Sequence, residues 1–152
     1  MWSMKSEKSK GNVVLGCTSN CFLMLDCDKK SESEVVNFSR EYTLFHDLGD
    51  SLVMKSSDGD GEDSSLCNYF IIFGKPLHWK EIRWHVKEAY RLGMVNEAFT
   101  AIREFGTITL RVNAKNNEIP PPKLIDQCYF ENGDFTGILA FLRDWVNHRE
   151  LG

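Results

Sequence analysis

The sequence predicts an α+β sandwich, with helices laid on one face of a mostly antiparallel sheet. Three observations predict it. An apolar run near the start reads as a buried strand, two later runs rich in Val, Ile, Tyr and Phe flank a polar stretch as the arms of a hairpin, and apolar stripes at helical spacing alternate with them. With 152 residues, 42% hydrophobic and 12% aromatic, the chain has the length of one domain and the apolar content to build a core.

Asn12 to Gly16 and Cys21 to Asp28 open the fold as strands, the second almost wholly apolar until it ends in Leu25-Asp26-Cys27-Asp28. Ser31 and Glu34 have the spacing of a capping box, and Val35, Phe38, Tyr42 and Phe45 follow at helical intervals until Gly49. Ser51 to Ser56 and Asn68 to Phe73 form the hairpin arms around the tip Ser57 to Ser65. The tip lacks the pattern of a calcium loop, because Asp63 stands where Gly is needed and Tyr69 where the bidentate Glu belongs, so it reads as a solvated loop.

Trp79, Ile82, Val86 and Ala89 mark a second helix that stops at Gly93, and Val95, Ala98, Phe99, Ile102 and Phe105 a third that runs to Gly106. Thr107 to Asn113 alternates as a strand. Asn116 to Pro122 ends in three prolines and serves as a connector. Ile138, Phe141, Leu142 and Trp145 give a last helix its apolar stripe. The whole reads as one domain over 1–152, with a core over 11–115, a proline-rich connector over 116–133 and a C-terminal helix over 134–150. The element order is that of a ferredoxin-like or RNA-recognition-motif-like split β-α-β-β-α-β sandwich, with an additional N-terminal strand and C-terminal helix and the second sheet face partly open.

No apolar run approaches the roughly 20 residues a membrane span needs, and Met1 to Gly11 is polar, so a cytoplasmic protein with no membrane partner is expected. The five cysteines are irregularly spaced, and Cys17 and Cys21 lack a matching pair, so reduced thiols and no zinc are expected. The four histidines have no ligand-like spacing, and neither a Gly-x-Gly-x-x-Gly, a P-loop nor a Gly-x-Ser-x-Gly motif occurs.

Two constellations can carry chemistry. Asp26 and Asp28 alternate with Cys27, which aims both carboxylates to one face of the strand, where they can clasp a hard divalent cation such as Mg²⁺ or Mn²⁺. The same spacing also suits a strand that simply leaves the core and turns polar. On the second helix, Lys80, Arg83, Lys87 and Arg91 gather on one side with Trp84 beside them, away from the apolar stripe. Such a face tracks phosphates and stacks a base or docks a partner; with Glu81 and Glu88 nearby it is also what an ordinary solvated helix carries. Charge is uneven: Asp26 to Asp63 holds 11 acids and 4 bases, Lys75 to Lys115 holds 8 bases and 4 acids, and the net −4 hides the difference.

In Phe22-Leu23-Met24-Leu25-Asp26-Cys27-Asp28, the hairpin arm Asn68-Tyr69-Phe70-Ile71-Ile72-Phe73 and the later strand Thr109-Leu110-Arg111-Val112, the chain resembles the archaeo-eukaryotic primase and primase-polymerase superfamily, over roughly Gly11 to Lys115. The resemblance implies an RNA-recognition-motif-like core in which Asp26 and Asp28 hold Mg²⁺ or Mn²⁺. Arg111, the prominent polar residue of the later strand, can contact nucleotide phosphate together with Lys115, or can instead pair with Asp26 or Asp28 from a neighbouring strand. It also implies a replication context, with nucleic acid, a nucleotide or a partner replication protein as ligand. Phe70 stands where the family has its nucleotide-binding His, and the later strand has no acid. The expected protein is therefore a catalytically degenerate binding module, with two alternatives: an active nucleotidyltransferase whose missing acid is Asp126 or Glu131, and an interaction subunit that docks a partner through the Trp84 face or the C-terminal helix.

Overall fold

A computed structural model describes residues 2–9, 12–58, 65–101, 108–111 and 122–128, with side chains described over 18–58, 65–101, 108 and 122–128. Within them lie β1 (Trp2–Ser9), β2 (Asn12–Ser19), β3 (Met24–Lys30), α1 (Glu32–His46), β4 (Ser51–Ser57), β5 (Cys67–Phe73), α2 (Trp79–Arg91), the short α3 (Glu97–Thr100), β6 (Ile108–Arg111) and β7 (Lys123–Cys128). They form an α+β fold with two antiparallel sheets, a four-stranded one ordered β3-β5-β4-β7 and a three-stranded one ordered β1-β2-β6. No helix among the described residues is long and apolar enough to cross a membrane.

Each helix is delimited by local chemistry. The Ser31 hydroxyl accepts from the Glu34 N–H at 3.2 Å, as the capping spacing predicts, and Asp47 closes α1 in the left-handed region. At α2 the cap is His78, whose Nδ1 accepts from the Lys80 N–H at 3.2 Å while its own N–H donates to the Glu81 carboxylate at 3.3 Å. The other end of α2 is a Schellman turn: the Met94 N–H donates to Ala89 O and the Gly93 N–H to Tyr90 O, which requires φ +79° at Gly93. Asn96 caps α3 through Phe99 N–H. The third helix thus starts later than Val95, and 102–107 lie outside the described residues, as do the C-terminal helix of 134–150 and the loop tip over 59–64.

The ladder register fixes the two faces of the larger sheet. Leu25, Cys27, Tyr69, Ile71, Phe73, Val53 and Ser51 share the face under α1, where the Ser39 hydroxyl donates to Ser51 Oγ at 2.8 Å and the Tyr42 ring meets Phe73 at 5.9 Å. Met24, Asp26, Phe70, Ile72, Leu52 and Met54 share the other. That second face is not the partly open one expected: Met24, Leu52, Met54, Phe70 and Ile72 are all buried. A strand buried on both faces reads as a continuous apolar run, and Tyr69 to Phe73 is one.

Three elements differ from expectation. Trp2–Ser9 pairs along its full length with β2, although its composition carries little strand signal; an edge strand takes its order from the partner's backbone. The strand after α3 pairs with β2, Ser19 facing Ile108, instead of joining the larger sheet, although it comes close to β3 and Ile108 is buried in the common core. Lys123–Cys128, placed in the connector by its three preceding prolines, is a strand on the outer edge of β4. Those prolines set where a strand starts and do not forbid one.

Candidate functional site

Asp26 sits opposite Phe70 in the β3–β5 ladder, so the aromatic ring and the carboxylate share a face. Asp28 lies beyond the regular ladder. The register shifts between Cys27 and Lys30, Lys29 adopts φ 56°, and the Lys29 N–H is taken up by the Asn68 side-chain oxygen at 3.0 Å. Asn68 in turn donates to Ser57 Oγ at 2.8 Å, tying the bulge to the end of β4. Both aspartates are partly exposed, and Asp28 accepts from the Asn96 amide at 3.4 Å, next to the α3 cap. Between them Cys27 is buried, and burial and the neighbouring Asp26 push its thiol pKa well up, so it stays protonated and unreactive.

The acid suggested to complete this pair is elsewhere. Asp126 lies on β7, separated from β3 by two strands, which is roughly 14 Å at the usual strand spacing. It shares the α1 face, where Arg40 donates to it twice, Nη2 to Oδ1 at 2.7 Å and Nε to Oδ2 at 3.2 Å. Asp126 is a clasp between α1 and the edge strand and cannot join Asp26 and Asp28. Glu131 lies outside the described residues, as does Lys115; Arg111 takes the register position opposite Gly16 in the smaller sheet.

The exposed face of α2 is as the helical spacing places it. Lys80, Arg83, Lys87 and Arg91 are all exposed, and the Trp84 side chain is 53% exposed between them and the acids Glu81 and Glu88. Glu81 is engaged in the cap, and Glu88 is paired with Arg91, Nε to Oε2 at 3.0 Å. Among the described residues no carboxylate forms an ion pair with Lys80, Arg83 or Lys87, so the face carries positive charge.

Sequence reasoning missed what stands behind Trp84. His85 is buried, its Nδ1 2.7 Å from the Tyr42 hydroxyl, and its ring lies 5.2 Å from His46 and 5.0 Å from Trp84. His46 also meets Trp84 at 5.7 Å and Phe45 at 4.9 Å. Burial, with His46 adding to it, pushes the His85 pKa down to about 4, and burial pushes Tyr42 up, so this pair is neutral near pH 7. It is a prop for the tryptophan. A general base would need a pKa near the working pH. Tyr42 and His46 are four apart on one helix, which is visible in sequence; their meeting with His85 on another helix is not.

Compared with protein-family models, with curated proteins and with solved structures, the chain matches none of them.

Proposed function

We propose that the protein is a single-stranded nucleic-acid-binding module whose contact surface is the outer face of α2. The observation that carries the reading is a half-exposed Trp84, backed edge-on by His46 and His85 and bordered by exposed Lys80, Arg83, Lys87 and Arg91. A ring held in place by other rings loses little freedom when a base stacks on it, and the cations beside it release counterions from the phosphates.

The primase-polymerase likeness fits this reading as a degenerate member working in replication inside the cell, bound to nucleic acid, a nucleotide or a partner replication protein. What supports it is the order β3-β5-β4 around α1, which is the first, third and second strand of a split β-α-β-β-α-β unit, and Phe70 directly opposite Asp26. In that reading β6, close to β3, takes the place of the fourth strand and β7 extends the opposite edge. Asp26 and Asp28, with Arg111 and Lys115, are the residues through which a Mg²⁺- or Mn²⁺-bound nucleotide would be held. A protein-docking role for the same helix is favoured by one observation, the exposure of Leu92 at its C-terminal cap, which cannot stack on a base.

The test is fluorescence anisotropy with a labelled 12-mer of single-stranded DNA or RNA at low salt. Binding is expected to weaken at least about 5-fold in Trp84→Ala, the loss of one stacked base. The slope of log affinity against log salt should be about −2 and flatten in Lys87→Ala, since each phosphate contact contributes about −0.7 on single strands. No binding by the native chain at low salt rejects the reading.

A further inference from the structure

We propose that Phe45, at the end of α1, is a second base-stacking platform, so that a bound single strand runs from the cationic face of α2 over Trp84 and across His46 to Phe45. This inference rests on the nucleic-acid reading and adds the path and direction of the strand. Phe45 is 84% exposed, the most solvent-accessible large apolar side chain among the described residues. An uncovered ring of that size forgoes about 1.5–3 kcal/mol of burial, which a ligand recovers. The ring is part of a continuous set: Phe45 meets His46 at 73° and His46 meets Trp84 at 66°, steep angles that do not consume the rings in flat stacking. The two exposed rings are therefore no further apart than the centroid distances of 4.9 and 5.7 Å laid end to end, at most about three stacked steps of ~3.4 Å along a single strand.

Charge sets the occupant and the direction. Lys80, Arg83, Lys87 and Arg91 lie on the α2 side of Trp84, and a polyanion is complementary to them. On the Phe45 side, Glu41 stands one turn back and Asp47 is paired with Lys75 at 3.1 Å, so phosphates gain nothing there and the contact is to bases. The strand is thus held by phosphate at one end and by stacking at the other.

Anisotropy with labelled dinucleotide and 12-nucleotide single strands separates the possibilities, using the native chain, Trp84→Ala, Phe45→Ala and Leu44→Ala. Both rings and Leu44 are on the surface, so all three variants keep the core intact. The expected result is that Trp84→Ala weakens both lengths, Phe45→Ala weakens the 12-mer about 5-fold or more while leaving the dinucleotide unchanged, and Leu44→Ala changes neither. If the native chain binds, Trp84→Ala weakens it and Phe45→Ala does not, the second platform is wrong and the binding function stands. If Leu44→Ala weakens the 12-mer as much as Phe45→Ala, the contact is a general apolar one and stacking on Phe45 is rejected. If the native chain binds neither length, the function itself fails and this path with it.

Discussion

The Tyr42 hydroxyl and His85 Nδ1 share a buried hydrogen bond of 2.7 Å that joins α1 to α2 directly behind Trp84. Tyr42 also stacks on Phe38 at 4.9 Å and meets His46 and Phe73, so one side chain connects both helices to the sheet. Removing only the hydroxyl leaves a buried imidazole nitrogen without its partner. Tyr42→Phe should cost about 1–3 kcal/mol in urea unfolding at pH 7. An unchanged midpoint would mean that the bond contributes nothing net.

The same pair makes stability depend on pH. His85 has its pKa pushed down from 6.5 to about 4 by burial, with His46 adding and Glu81 and Glu88 opposing. Above pH 6.5 the imidazole is neutral in both states and contributes no slope. Between pH 6.5 and 4 the unfolded chain binds a proton that the native one does not, so stability falls as pH falls, by at most about 3 kcal/mol, and levels off below the native value. Denaturant melts from pH 7.5 to 4.5 should show this slope in the native chain and a shallower one in His85→Leu, where Tyr42 stays neutral throughout. Parallel slopes in the two proteins would remove His85 as the cause.

Gly93 offers a clean measure of backbone strain. It holds φ +79° at the end of α2, and a Cβ built there meets no atom within 4 Å. Gly93→Ala therefore introduces no clash, only the cost of a left-handed L-residue. The expected loss is about 1–2 kcal/mol, read from thermal or urea unfolding. A larger loss would point to a packing role for this turn beyond the hydrogen bonds of Ala89 and Tyr90.

Much of the larger sheet was legible because its signals are local. Ser31 and Glu34 start α1, Gly93 ends α2, and the apolar runs of β3 and β5 are buried as their composition implies. Asp26 could be placed on a face by alternation; the bulge that displaces Asp28 could not, because it depends on Asn68, distant in sequence, taking the Lys29 N–H. β1 and β7 were missed for a related reason. Both are edge strands, and an edge is specified by the neighbour it pairs with more than by its own residues. The cationic face of α2 was legible from helical spacing alone, whereas the ring cluster that props Trp84 needed two helices brought together in space.

Two-metal phosphoryl transfer needs carboxylates for both ions and donors that position the triphosphate. Asp26 faces the apolar ring of Phe70, Asp28 is hydrogen-bonded to Asn96 beyond a bulge, and Asp126 is held by Arg40 across the sheet. Among the described residues no group of three or more His, Cys, Asp or Glu side chains converges on one point. Losing a single positioned donor in such a site typically costs on the order of 10²- to 10³-fold in rate. We therefore expect no primer extension or primer synthesis above background with Mn²⁺ and nucleoside triphosphates, while single-strand binding is retained. The control is an Asp26→Ala, Asp28→Ala variant, which should bind a single strand as the native chain does, because neither aspartate lies on the α2 face. Extension by the native chain that disappears in this variant would restore Asp26 and Asp28 as metal ligands of a working nucleotidyltransferase and make the α2 face its template track.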